Sequence, residues 1–166
     1  MDNHFRPFDP EQEVSINRRH LPHWEQPGST YFVTFRTADS LPPKRLDDLR
    51  WQRKLWVQSH PQPWSFRELD EYSRIIFQRL DGWLDKGLGT CPLGEPEASR
   101  IVADALTYFD GTRYFLDDYA VMPNHVHSIV LPREEHTLSE ILHSWKSFTG
   151  NRVNGVLKRS GQLWIH

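Results

Sequence analysis

In 166 residues there is one cysteine, Cys91, and no CxxC pair, which excludes an internal disulfide, a cysteine-built zinc centre and a dithiol redox couple. Long apolar runs are also missing. Hydrophobic stretches extend over only a few positions, far below the roughly 20 residues that a membrane-spanning helix needs. The start, Met1-Asp2-Asn3-His4-Phe5-Arg6, has neither the basic nor the apolar portion of a signal peptide. A reducing, cytoplasmic setting without membrane contact is therefore the expectation. A basic excess is lacking as well: 20 Lys and Arg against 22 Asp and Glu leave a formal net charge of −2, which argues against a general nucleic-acid adhesive.

Hydrophobic residues make up 37% of the chain and aromatic residues 13%, enough for one core. The expected organisation is a single domain over 1–166, with an N-terminal arm at 1–27 and an α+β body at 28–166. Charge is unevenly spread. From Ile141 onward the chain carries Lys146, Arg152, Lys158 and Arg159 with no acidic residue, and Arg18-Arg19-His20 makes a second basic cluster.

The arm mixes proline, histidine and charge without periodicity. Ser29 to Arg36 follows Pro27-Gly28 and is rich in aromatic and β-branched residues, so it predicts a first strand. A tryptophan-containing helix is expected from Lys44 to about Val57, and a second from Asp70 as N-cap to Gly87. Leu88 to Gly94 reads as a loop. The next helix has Pro96 in its first turn, an apolar stripe through Ala98, Ile101, Val102, Ala105, Leu106 and Phe109, and Gly111 beyond its end. Arg113 to Val121 and His125 to Leu131 read as a hairpin turning at Met122-Pro123-Asn124. Thr137-Leu138-Ser139-Glu140 has the form of a capping box ahead of Ile141, Leu142, Trp145 and Phe148, with a separate short helical piece holding Val153, Val156 and Leu157. This order predicts a ferredoxin-like βαββαβ sheet with helices on one face, its fourth strand missing because the chain reaches Trp164-Ile165-His166 where that strand would begin.

Chemistry concentrates at His125 and His127. Two imidazoles two residues apart on a strand share a face and can share one metal ion, here expected at an exposed sheet edge. With no cysteine nearby, the donors suit Mg²⁺ or Mn²⁺ acting on a phosphate, with a third ligand from elsewhere. A zinc hydrolase or structural zinc site is disfavoured, because no third His, Cys or carboxylate stands at a defined spacing. Asn124 reads as a turn residue.

Tyr119-Ala120-Val121-Met122-Pro123-Asn124-His125-Val126-His127 resembles the HUH motif (His, hydrophobic, His) of single-tyrosine transposases, specifically those associated with repetitive extragenic palindromes. Arg18 to Trp24, Ser29 to Arg36, Phe109 to Tyr114 and Leu138 to Thr149 resemble further stretches of that family in the same order, so the likeness covers nearly the whole chain. The resemblance implies metal-assisted transesterification on single-stranded hairpin DNA. In the family a tyrosine hydroxyl becomes joined to the 5′ end. His125 and His127 would hold Mg²⁺ or Mn²⁺; Arg18, Arg19 and His20 would meet the foot of the hairpin; Lys146, Arg152, Lys158 and Arg159 would neutralise phosphates. Trp24 could stack on an unpaired base, with packing on the sheet as the alternative. A homodimer is expected through the hairpin strands or the helix around Trp145.

The family's nucleophile lies on a helix beyond the fourth strand. None of Tyr31, Tyr72, Tyr108, Tyr114 and Tyr119 falls in a matching segment, so no catalytic residue is assigned. The expectation is a truncated relative with weak metal binding and absent or very slow nicking. The alternative is a DNA-hairpin-binding module that does not cut.

Overall fold

The computed structural model describes residues 6, 15–17, 23–26, 28–61 and 64–165, with 15–17 and 23–25 described as backbone. Within the arm, β1 (Ser15–Asn17) and β2 (His23–Glu25) pair antiparallel. The body is mixed α+β. Its elements are β3 (Tyr31–Arg36), α1 (Pro43–Ser59), α2 (Phe66–Leu84), a 3-10 turn at Pro92–Gly94, α3 (Pro96–Thr107), β4 (Tyr114–Met122), β5 (His125–Pro132) and α4 (Leu138–Val156). The sheet is antiparallel in the order β3-β5-β4.

The strand bearing the histidines is thus central, not an edge, because β3 pairs with one side of β5 and β4 with the other. Alternation along β5 sends Val126 and Val130 to one face, where they join Val33 and Phe35 of β3, Ala98, Val102 and Leu106 of α3, and Ile141, Trp145 and Val153 of α4 in the main core. Cross-strand register places Thr34 and Ala120 beside His127, and Arg36 and Met122 beside His125, on the opposite face. One extra residue between Leu116 and Tyr119 bulges β4, which returns Tyr119 to the side of its partner Ser128.

The expectation of helices on one face holds for α3 and α4 but not for the helical pair before them. Leu41, Trp83 and Leu84 build a second core with Leu46, Leu49 and Leu80, and the C-terminal turn of α2 approaches the imidazole face. Helix α2 begins earlier than Asp70. Ser65 Oγ accepts the Glu68 backbone N–H while Glu68 Oε2 accepts that of Ser65, so two otherwise orphaned donors are satisfied one turn upstream. The predicted box at Thr137 and Glu140 forms in the same reciprocal way. Helix α4 is one continuous element. Trp145, Thr149 and Val153 face the core at helical spacing, and that packing carries the helix through Gly150 and Gly155.

The outer edge of β3 carries a short antiparallel bridge where the sequence reading left no strand. Ala38 N–H donates to Leu163 O (2.8 Å), Ile165 N–H donates to Arg36 O (3.1 Å), and Thr37 pairs with Trp164. Trp164 is buried and its Nε1 donates to Thr149 Oγ1 (2.8 Å), whose hydroxyl donates to Trp145 O (2.6 Å). A saturated polar thread therefore fastens this segment beneath α4.

Candidate metal centre

The sharp turn before β5 buries Asn124 and His125 completely, while His127 is half-buried. Both rings occupy one face, and their Nε2 atoms stand 3.0 Å apart with the ring planes nearly perpendicular. The hydrogen-bond network fixes which nitrogen of His125 carries its proton. Asn124 Nδ2 donates to the Leu88 carbonyl (2.9 Å), so its Oδ1 faces His125 Nδ1 at 2.7 Å. A carbonyl oxygen only accepts, so Nδ1 is protonated and Nε2 presents its lone pair toward His127. Asn124, expected to serve only the turn, orients the first imidazole.

His127 Nδ1 lies 2.8 Å from Thr34 Oγ1, and a hydroxyl can either donate or accept there. When Thr34 donates, His127 carries its proton on Nε2 and gives it to His125 Nε2. When Thr34 accepts, the proton sits on Nδ1 and both Nε2 lone pairs are free together. An imidazole pair whose outer nitrogens are held by an amide and a hydroxyl matches the pattern by which proteins orient metal-bound histidines.

Two carboxylates complete the surroundings. Asp85 Oδ1 is 4.0 Å from His125 Nε2, on a side chain 64% exposed. Asp81, one helical turn earlier, feels the charges of His127 and Asp85, and its Oδ1 is buried without a hydrogen-bond partner. Burial raises the Asp81 pKa, with Asp85 adding to the rise and His127 opposing it. Burial also pushes His125 down to about 4, reinforced by His127 and countered by Asp85. As the side chains stand, no three His, Cys, Asp or Glu groups among the described residues converge on one point. One nitrogen fixed as a lone-pair donor on His125, a second on His127 in the tautomer where Thr34 accepts, and an orphaned oxygen nevertheless fit the chemistry of a divalent cation.

No family model, curated protein or solved structure matches this chain.

The clamp on Asn124 depends on the segment after α2. Gly89 adopts φ +89°, and a Cβ there would sit 2.5 Å from the Asp39 carbonyl oxygen. The Asp39 carboxylate also accepts from the Thr90 N–H (2.8 Å) and hydroxyl (2.6 Å), which holds residues 88–90 in place. Gly89→Ala is expected to cost about 2–4 kcal/mol in denaturant unfolding, combining a left-handed backbone with a backbone clash. Gly28→Ala, at φ +76° with open space around it, is the control and should cost about 1–2 kcal/mol.

The predicted DNA contacts are not gathered at this site. Arg18, Arg19 and His20 lie outside the described residues, as does the Trp24 side chain. Lys146 donates to the Ile165 carbonyl (3.1 Å) and is half-buried over the Phe35 ring, and burial, then Arg36, lowers its pKa. Arg152 is exposed with its guanidinium over Phe148; Lys158 is exposed; Arg159 is half-buried with an unpartnered Nη1. All three belong to α4 or its C-terminal turn, which packs on the Val126 face, opposite the imidazoles. Trp145 itself, on the helix named above as one of two expected dimer contacts, is buried in the chain's own core.

Sequence reasoning missed Thr34, Asp81, Asp85 and Phe32. The Phe32 ring is 62% exposed and stacks on His127, with centroids 5.4 Å apart and planes 17° from parallel. Period-two alternation from the recognised strand Tyr31–Arg36 puts Phe32 and Thr34 on one face, which is the signal that could have found both.

Proposed function

We propose that the chain binds single-stranded, hairpin-forming DNA through a divalent cation held by His125 and His127. The observation that carries this reading is the convergence of the two Nε2 atoms, with the His125 lone pair exposed by the Asn124 and Leu88 clamp. The sequence likeness to single-tyrosine HUH transposases supplies the substrate class. The sheet order supports the finer fold: a C-terminal bridge beside β3, followed across the sheet by β5 and β4, is the strand arrangement of a ferredoxin-like βαββαβ unit, with α1 and α2 inserted after its first strand.

Mg²⁺ or Mn²⁺ bound there would polarise a phosphodiester oxygen and draw charge from the phosphorus. Asn124 and Thr34 orient the rings, and His125, buried and neutral, offers nitrogen without competing protonation at neutral pH. Phe32 presents a flat apolar surface next to His127 on which a base neighbouring the phosphate would stack.

The tyrosines favour a hairpin-binding module over a cutting enzyme for the chain by itself. Tyr31 and Tyr119 sit at register positions on the face opposite the imidazoles, and Tyr114 is buried in the core with its hydroxyl donating to Leu106 O (2.7 Å). Tyr108 follows α3 on that same layer, and Tyr72 is buried against Trp56 and Trp64. Among the described residues no tyrosine hydroxyl stands beside the pair on the imidazole face of the sheet.

The test uses a labelled palindromic single strand. Binding should require Mn²⁺ or Mg²⁺, weaken steeply with salt, and lose its metal dependence in His125→Ala/His127→Ala. Metal-independent binding, or none, overturns the reading, while a covalent protein–DNA adduct replaces the binding module with a nicking enzyme. Phe32→Ala should weaken DNA binding about 5- to 100-fold, the worth of one stacked base, at unchanged Mn²⁺ affinity and unchanged stability, since the ring is exposed. Equal DNA affinity in a fluorescence-anisotropy titration rules out the platform.

A further inference from the structure

We infer that Asp81 and Asp85, one turn apart at the C-terminal end of α2, supply the oxygen ligands that join His125 and His127 around the cation. The inference rests on the reading of the imidazole pair as an ion holder and adds the ligands that the strand itself does not provide. Four observations converge. Asp85 Oδ1 already stands 4.0 Å from His125 Nε2. Asp81 has an oxygen removed from solvent with no donor to satisfy it, an arrangement that is rare in native proteins and costs stability unless a donor or cation completes it. Spacing of four places the two carboxylates on one helical face. Among the described residues neither carboxylate is ion-paired with Lys or Arg.

The alternative for Asp85 is a solvated helix residue, and for most exposed aspartates that is the whole account. Here it leaves Asp81 unexplained, because a buried unpaired carboxylate oxygen one turn away costs stability and contributes none. A divalent cation would neutralise both charges at once and satisfy the orphan. Asp85 is free to swing inward, since among the described residues no other side chain holds its carboxylate. Two imidazole nitrogens with two carboxylate oxygens form a mixed set that suits Mn²⁺ and leaves positions open for a phosphate oxygen or water. The ligands then come from two parts of the fold, the central strand and the helical pair inserted before α3.

The experiment is a Mn²⁺ titration of the full chain, followed by the electron-paramagnetic-resonance signal of free Mn²⁺, on wild type, Asp81→Asn, Asp85→Asn, the double variant and His125→Ala/His127→Ala. Thermal unfolding of each in EDTA runs alongside. Each single aspartate change should weaken Mn²⁺ binding about tenfold or more, and the double change more still. Asp81→Asn should also raise the melting temperature in EDTA, because it replaces a half-buried carboxylate with an unpartnered oxygen by a neutral amide. If the double variant binds Mn²⁺ like wild type while the histidine variant does not, the carboxylate assignment is overturned and the imidazole reading stands. If wild type binds no Mn²⁺, or the histidine variant binds it equally well, both fall together.

Discussion

Asn124→Ala should weaken Mn²⁺ binding about 10- to 100-fold while leaving both imidazoles in the chain. Asn124 is fully buried, and both ends of its amide are engaged: Nδ2 by the Leu88 carbonyl and Oδ1 by His125 Nδ1. Truncation orphans a carbonyl and a ring N–H in a site closed to water, so the fold should also lose about 3 kcal/mol. The freed His125 ring can then move its proton to Nε2, the nitrogen that must be bare. Asn124→Asp separates the two effects. It keeps an oxygen on His125 Nδ1, and so the tautomer, but sets a second oxygen against Leu88 O, so stability should fall with metal affinity largely retained. Nitrogen-15 shifts of the His125 ring report the tautomer, and calorimetric titration reports affinity. Unchanged Mn²⁺ affinity in Asn124→Ala would refute the positioning role.

In EDTA, folding stability should drop by about 3 kcal/mol between pH 6.5 and pH 4, and most of that slope should vanish in His125→Gln. Above pH 6.5 the ring is neutral whether the chain is folded or unfolded and contributes nothing to the pH dependence. As pH falls below 6.5, the unfolded chain takes up a proton that the buried ring, with its pKa held near 4, refuses. The loss grows until about pH 4, where both states are protonated, and a fall from 6.5 to about 4 corresponds to roughly 3 kcal/mol. Asp81 works in the opposite direction. Its raised pKa lets the folded state bind a proton earlier than the unfolded one, adding stability as pH falls through the folded value. Urea unfolding at pH 7, 5.5 and 4.5 measures the slope, and an identical slope in His125→Gln would assign it to other groups.

The parts of the fold that were legible in sequence are those with local causes. The stripe from Ala98 to Leu106 marked α3, Thr137 with Glu140 marked the start of α4, and alternation around Val126 put both histidines on one face. Ser65 and Glu68 carried the same capping signature but were passed over in favour of Asp70, although the Ser-x-x-Glu spacing was there to be read. The separate helical piece expected around Val153, Val156 and Leu157 is instead the end of α4, because tertiary packing of Trp145, Thr149 and Val153 outweighs the local cost of Gly150 and Gly155. The rest of the candidate site was hidden for a different reason. Asp81 and Asp85 precede the histidines by some 40 residues, and two aspartates four apart on a helix look like any solvated face until the fold brings that turn over the sheet. Thr34 becomes a partner of His127 only once the register of β3 on β5 is known.

The Leu88 carbonyl has reach beyond its own loop. Its grip on Asn124 spans 36 residues of sequence and dictates where a proton rests on a ring at the centre of the sheet. The Asp39–Thr90 contact, remote from the imidazoles along the chain, is therefore part of what sets the tautomer of a buried ring: a surface carboxylate anchors the loop, the loop anchors the amide, and the amide anchors the proton.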